Sequence, residues 1–73
     1  MSIGDEKDFG FWVLISRKRL SVSQKLLGAL ARIAQSEISR IERGQRPPFK
    51  PERERLLKVL ENFGQFFPEI KND

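Results

Sequence analysis

The sequence predicts an all-α fold, a compact bundle of four to five helices, from three observations. First, serines, glycines and prolines divide the chain into short stretches of helical length. Second, the stretch after the last proline-rich loop carries apolar residues at helical spacings of three and four, at Leu56, Val59, Leu60 and Phe63. Third, no segment alternates regularly between apolar and polar residues, so we expect no strand.

The first two predicted helices are defined by their caps and breaks. We expect Asp8 to cap a helix running roughly from Phe9 to Arg19. Ser21 and Ser23 interrupt this run, and Ser23 is a natural N-cap for a second helix from Gln24 to about Ala31. Residues 32–34 would then form a turn between the second and third helices.

The third and fourth predicted helices each end at a glycine. The third runs from about Gln35 to Arg43, and Gly44 ends it at a position that needs positive φ. The loop 45–48 contains consecutive prolines, which cannot continue a helix. Pro51 suits the first turn of a fourth helix, predicted from Glu52 to Phe63 and closed by Gly64.

This division predicts the domain organisation of the chain. We expect a polar N-terminal segment over residues 1–8, one domain over 9–64, and a short C-terminal segment over 65–73. The 73 residues leave room for a single domain. Leu27, Ala31, Ile38 and Ile41 fall where the second and third helices would face a shared core.

The composition excludes most enzymatic and metal-dependent functions. The sequence contains no cysteine, histidine or tyrosine, and no glycine-rich phosphate loop. An enzyme would have to use carboxylates such as Glu52 and Glu54 in a cleft that four short helices scarcely provide. We therefore expect no enzyme, no metal site, no cofactor and no small-molecule ligand. The polar start is not a signal peptide and the longest apolar run, 11–15, is too short to span a bilayer, so we expect a cytoplasmic protein without a membrane partner.

The distribution of charge indicates one basic face. The net charge is +4, and the stretch between Arg17 and Arg55 holds eleven Lys or Arg against four Glu, a local excess of seven. Such asymmetry is typical of a protein that binds a polyanion. Taken alone the signal is weak, because many basic surfaces are only solvated.

A more specific pattern occupies residues 23–44, SQKLLGALARIAQSEISRIERG. Its register resembles that of the Cro and lambda-repressor-like helix-turn-helix proteins, often called the Xre family, without a gap. The matching positions are Ser23-Gln24, Leu27, Ala31, Ile33, Ile38-Ser39, Ile41-Glu42 and Gly44. A looser likeness extends to Phe9-Gly10 and Arg17 upstream and to Val59, Phe63 and Gly64 downstream, so it covers roughly residues 9–64.

The resemblance implies a function and a site. The expected fold is a lambda-repressor-like bundle with the helix-turn-helix at about 24–43, and the expected function is sequence-specific binding of double-stranded DNA by a transcriptional repressor or autoregulator. The 35–43 helix would read bases in the major groove with Gln35, Ser36, Glu37, Ser39 and Arg40. Phosphates would be bound by Gln24, Lys25, Arg43, Gln45 and Arg46.

Residue chemistry supports some of these roles and leaves others open. Gln35 can bind adenine in bidentate fashion, and Arg40 can bind guanine through O6 and N7. Glu37 would either accept from a cytosine amino group or repel wrong phosphate registers. Without the motif, Arg40 and Arg43 would be read as ordinary solvated helix charges.

Two further features follow from the family register. Arg17 and Glu42 resemble a pair that joins the first helix to the third, so we expect a partly buried structural ion pair. Three positions depart from the family pattern: Arg32 stands where glycine is common, Ala34 where a serine or threonine cap is usual, and Gly28 where alanine is common. Each departure is expected to cost about 1 kcal/mol.

The first predicted helix is apolar on nearly all sides, so it must be covered on more than one side. Phe11 and Trp12, with Phe66 and Phe67 near the C-terminus, form a candidate dimer or partner surface. Packing within one chain and packing across a homodimer are both open. The alternative function is a protein-interaction module, such as an antitoxin or adaptor, with secondary DNA binding.

Overall fold

The chain folds into four helices with no strand in the part that the structure describes. A computed structural model describes the backbone of residues 6–66 and the side chains of residues 8–63. The helices are α1 (Glu6–Arg19), α2 (Gln24–Ala31), α3 (Gln35–Glu42) and α4 (Lys50–Phe66). The all-α bundle predicted from the sequence is confirmed. None of these helices is both long and apolar enough to cross a membrane.

One apolar core holds the four helices together. Helix α3 packs against both α1 and α2, and α4 covers the other side of α2 and part of α1. Each of these helices contributes two buried apolar residues, and the connections on either side of α2 contribute one each. The ten core residues are Phe9, Val13, Val22, Leu27, Ala31, Ile33, Ile38, Ile41, Leu56 and Leu60. Burying each of the larger side chains stabilises the fold by about 1.5–3 kcal/mol.

Two glycines allow helices to approach more closely than a side chain would permit. A Cβ atom on Gly10 would overlap the carbonyl oxygen of Ile41, so α1 lies directly against the end of α3. A Cβ atom on Gly28 would overlap the carbonyl oxygen of Ile33, in the turn that follows α2. The glycine at position 28 therefore lowers helix propensity but permits tight packing of this turn.

The turn between α2 and α3 has the conformation expected from the sequence. Arg32 adopts the left-handed region, with φ 61° and ψ 45°, and the Ile33 amide donates to the Gly28 carbonyl at 2.9 Å. Ala34 begins α3 without a side-chain cap. The capping of α2 is also confirmed, since the Ser23 hydroxyl accepts from the Leu26 amide at 3.0 Å. Gly44 has the positive φ expected after α3, 74°.

The predicted ends of three helices were wrong. Helix α1 begins at Glu6, so Asp8 lies inside the first turn and is not its N-cap. A carboxylate is favourable there as well, because the helix dipole is positive at this end. Helix α3 ends at Glu42, and Arg43 is its C-cap.

Helix α4 is longer than predicted at both ends. It begins at Lys50, two residues before the predicted start, and the Glu52 carboxylate caps this end by accepting from the Phe49 amide at 2.9 Å. It continues through Gly64 to Phe66, so Gly64 does not close it. Glycine inside a helix costs only about 1 kcal/mol relative to alanine, which a packed helix tolerates. Residues 67–73, most of the predicted C-terminal segment, lie outside the described residues.

We predict that Arg32→Gly stabilises the domain. Glycine reaches the left-handed region without the steric cost that arginine carries there, so the free energy of unfolding should rise by about 0.5–1 kcal/mol. Urea denaturation followed by circular dichroism measures the change. Arg32→Ala is the matched control, because it removes the same charge and keeps the strain. Equal stability of the two variants would contradict the prediction.

Candidate nucleic-acid interface

Helix α3 presents two chemically different faces. On one face Ile38 and Ile41 are fully buried in the core. On the other face the polar residues Gln35, Ser36 and Arg40 are exposed. The helix therefore offers hydrogen-bonding groups to a ligand while its apolar face fixes its position.

A buried ion pair fixes α3 relative to α1. Arg17 donates from Nε to Glu42 Oε2 at 2.6 Å and from Nη2 to Oε1 at 3.0 Å, and its Nη1 donates to the Val22 carbonyl at 3.1 Å. The two side chains are only 11% and 2% exposed. This is the ion pair expected from the sequence, and its bidentate geometry is the strongest form of such a pair. Among the described side chains, no buried polar atom lacks a hydrogen-bond partner.

Gln24 extends this network to the start of α2. Its Nε2 donates to Glu42 Oε1 at 3.0 Å, and the residue is half-buried. Ser23 caps the same helix end, so the first turn of α2 is held both to its own backbone and to α3. Lys25 beside it is exposed. The N-terminus of α2 and the polar face of α3 are thus held together as one unit.

A second polar cluster joins α3, the following loop and α4. We call it the Arg46 clamp, and it consists of Glu37, Arg46 and Glu52. Arg46 donates from Nε to Glu37 Oε1 at 2.6 Å, and from Nη1 and Nη2 to the two Glu52 oxygens at 3.0 and 3.1 Å. The sequence pattern predicted a phosphate contact for Arg46 and did not indicate Glu52 as its partner, since three prolines lie between the two residues.

Within the clamp, the pKa values of Arg46 and Glu52 are shifted in the directions that keep both groups charged. The hydrogen bond from Arg46 lowers the pKa of Glu52, against an opposing effect of burial, and the bond to Phe49 lowers it further. The hydrogen bond to Glu52 raises the pKa of Arg46. Since the pKa of Glu52 is lowered by folding, its stabilising contribution is present above the ordinary glutamate range and is lost as pH falls through the folded-state pKa.

The remaining predicted phosphate-binding residues lie on the surface. Arg43 and Gln45 are exposed, and Arg43 Nε lies 3.4 Å from the Ser39 carbonyl oxygen. Among the predicted base-reading residues, Glu37 and Ser39 are only half-exposed and are less accessible than the other three. Of the predicted site residues, the structure brings Glu37 and Arg46 into direct contact with each other, and it leaves Gln35, Ser36, Arg40, Arg43 and Gln45 exposed.

The predicted aromatic surface divides into two parts. Phe11 is 54% exposed, whereas Trp12 is partly buried and stacks on Phe9 with ring centroids 5.6 Å apart. Trp12 thus contributes to the core. The side chains of Phe66 and Phe67 lie outside the described ones.

Residues of α2 and α4 line a groove on the described surface. A shallow apolar groove of about 300 Å³ is lined by Leu30, Val59, Asn62 and Phe63, none of which titrates. No group of acidic side chains among the described residues is arranged to hold a metal ion.

The fold and its exposed polar helix define a helix-turn-helix domain of the DNA-binding type. The sequence model of the helix-turn-helix family matches residues 15–64, more than half of the chain. The chain belongs to the Cro/C1-type, Xre-like helix-turn-helix family, and the family resemblance is confirmed. This is a family of DNA-binding transcription regulators that are typically not enzymes. Searches of curated proteins and of solved structures each found no significant match.

We predict that Arg17 and Glu42 are energetically coupled. Glu42→Gln or Arg17→Met alone leaves a buried charge without its partner and should lower the free energy of unfolding by about 3–5 kcal/mol. The double variant removes both charges and should lose clearly less than the sum of the single losses. Chemical denaturation of the four proteins measures the coupling. If a single variant does not fold, recovery of helix in the double variant reports the same coupling, and strictly additive losses would contradict it.

Proposed function

We propose that this chain is a transcriptional repressor or autoregulator that binds double-stranded DNA sequence-specifically through α3. The observation that carries the proposal is the division of α3 into a buried face, locked by the core and by Glu42, and an exposed polar face. A helix that enters the major groove needs both properties, since its side chains must reach base edges from a fixed position.

Base reading is assigned to the exposed side chains of α3. Gln35 and Ser36 lie in its first turn, the end of a recognition helix that faces the base edges. Arg40 lies in its last turn with its side chain exposed, so its planar guanidinium is available to guanine O6 and N7. Ser39 is half-exposed and can serve as a shorter donor or acceptor.

Phosphate binding is assigned to residues on either side of α3. Lys25 follows the capped N-terminus of α2, where backbone amides and the helix dipole favour an anion. Arg43 and Gln45 are exposed just after α3. Gln24 donates one of its two amide hydrogens to Glu42, and the second can be donated to a phosphate while that bond is kept. These contacts add affinity and salt dependence but no sequence preference.

A homodimer on a pseudo-palindromic site is the form of binding that we propose. Two copies would place their α3 helices in successive major grooves about 34 Å apart. Phe11 and Ile15 lie one turn apart on α1 and are both exposed, which gives an apolar surface for such contacts. The proposed site of action is the cytoplasm, where such a regulator would meet its DNA.

The exposed apolar side chains also favour a second candidate function. Phe11, Leu30 and Phe49 are each about half or more exposed. A protein-interaction module, such as an antitoxin or adaptor, would use exposed apolar side chains of this kind for its main contacts and would bind DNA only secondarily.

We predict sequence-specific binding that depends on Arg40. Duplexes are selected from a random library with the wild-type protein, and fluorescence anisotropy then compares the selected duplex with a scrambled one across a salt series. The selected duplex should bind more tightly by about 10³-fold or more. Arg40→Ala should lose about 1–3 kcal/mol of discrimination at one G·C pair.

Lys58→Ala is the matched control, because Lys58 is an exposed cation on α4 and not on α3. It should retain the base preference of the wild type. Equal binding of both duplexes, and only at low salt, would contradict the proposed function. The protein-interaction module would then be tested by binding assays with Phe11→Ser and Leu30→Ser variants.

A further inference from the structure

We propose that Arg46 is a positioning residue that aims the Glu37 carboxylate at the amino group of a cytosine, so that the Arg46 clamp sets one base preference of α3. The inference rests on the proposed function, since it requires α3 in the major groove. It revises the phosphate contact that the sequence pattern predicts for Arg46.

The hydrogen-bonding capacity of Arg46 is already largely used within the chain. A guanidinium carries five N–H groups. Four hydrogen bonds engage them, one to Glu37, two to Glu52 and one from Nη1 to the Pro47 carbonyl at 2.8 Å. The side chain is only 20% exposed. Within the described part of the chain, only one N–H group, on Nη2, is left for a phosphate, and a bidentate phosphate contact would have to break or share the existing bonds.

The guanidinium is also held in one orientation. The two Glu52 oxygens accept from Nη1 and Nη2, and the centroid of the Phe49 ring lies 5.0 Å from the guanidinium carbon. Glu52 is itself fixed, because its Oε1 also accepts from the Phe49 amide. Arg46 is therefore anchored on the start of α4, and its Nε points from that anchor toward α3.

Glu37 is held at one oxygen and open at the other. Its Oε1 accepts from Arg46 Nε, and among the described residues no hydrogen bond reaches its Oε2. The side chain is 36% exposed. Glu37 lies in the first turn of α3, directly after Ser36, so this free acceptor sits at the end of the helix that faces base edges.

A fixed carboxylate oxygen distinguishes among the four bases. Guanine and thymine present acceptors in the major groove, which repel it, and adenine places its N7 acceptor beside its amino donor. Cytosine presents only an amino donor. The pairing with Arg46 also offsets the charge of Glu37, which lowers its repulsion by nearby phosphates. The chemistry of the clamp thus favours cytosine at one position of the site.

The test measures base preference with the selected duplex and its variants at each position. The wild type should prefer cytosine by about tenfold at one position, and Glu37→Gln should reduce that preference there and nowhere else. Arg46→Lys keeps the charge but cannot form the same fork, so it should lose the same preference. The double variant, Glu37→Gln with Arg46→Ala, should show the same cytosine preference as Glu37→Gln alone. Circular dichroism melting confirms that each variant is folded.

Arg43→Ala is the matched control for a phosphate contact. It should weaken all duplexes alike and reduce the salt slope by about 0.9, whereas Arg46→Ala, made in the Glu37→Gln protein, should leave the slope unchanged. The inference is overturned if Arg46→Lys keeps the cytosine preference, or if Arg46→Ala weakens binding equally with Glu and with Gln at position 37. A wild type without any sequence preference would overturn both this inference and the proposed function, and is recognised before any variant is made.

Discussion

The buried ion pair between Arg17 and Glu42 is the interaction on which the arrangement of the binding surface depends. Two charges in the interior are stable only when each satisfies the other, and here both carboxylate oxygens are occupied. The pair therefore fixes the position of α3 relative to α1 at the point where the two side chains meet. Because Gln24 donates to the same carboxylate, the start of α2 is tied to that position as well.

A recognition helix in so small a domain must be rigid although its core is limited. A chain of this size buries only about 60% of the surface that its unfolded form exposes. The polar contacts around α3 complement that core at its two ends, with the Arg17–Glu42 pair at the C-terminal end and the Arg46 clamp at the N-terminal turn. Two features destabilise this region: the strained conformation of Arg32 and the missing side-chain cap at Ala34. The polar contacts offset this destabilisation and hold α3 in place, with its exposed side available for binding.

Local sequence signals predicted the elements around the helix-turn-helix because its turns have strong residue requirements. The Ser23 cap follows from a rule that acts over three residues, whereas the turn at Arg32 was expected from the family register, in which glycine is common at that position. The ion pair was expected from the family register alone, since 25 residues separate its partners. The interior position of Gly64 was missed because glycine is only about 1 kcal/mol less favourable than alanine inside a helix, so it need not end one. The clamp was missed because Arg46 and Glu52 meet only once the loop has its shape.

The central claim is that the polar face of α3, with the start of α2, contacts DNA. Amide chemical-shift mapping tests it most directly, with the nitrogen-15-labelled chain titrated with its selected duplex and with a scrambled one. We expect the selected duplex to shift the amides of residues 23–25 and 35–46, while those of Leu56 and Leu60 in the core of α4 stay in place. Shifts confined to the groove of Leu30, Val59 and Phe63, or identical shifts with both duplexes, would contradict the claim.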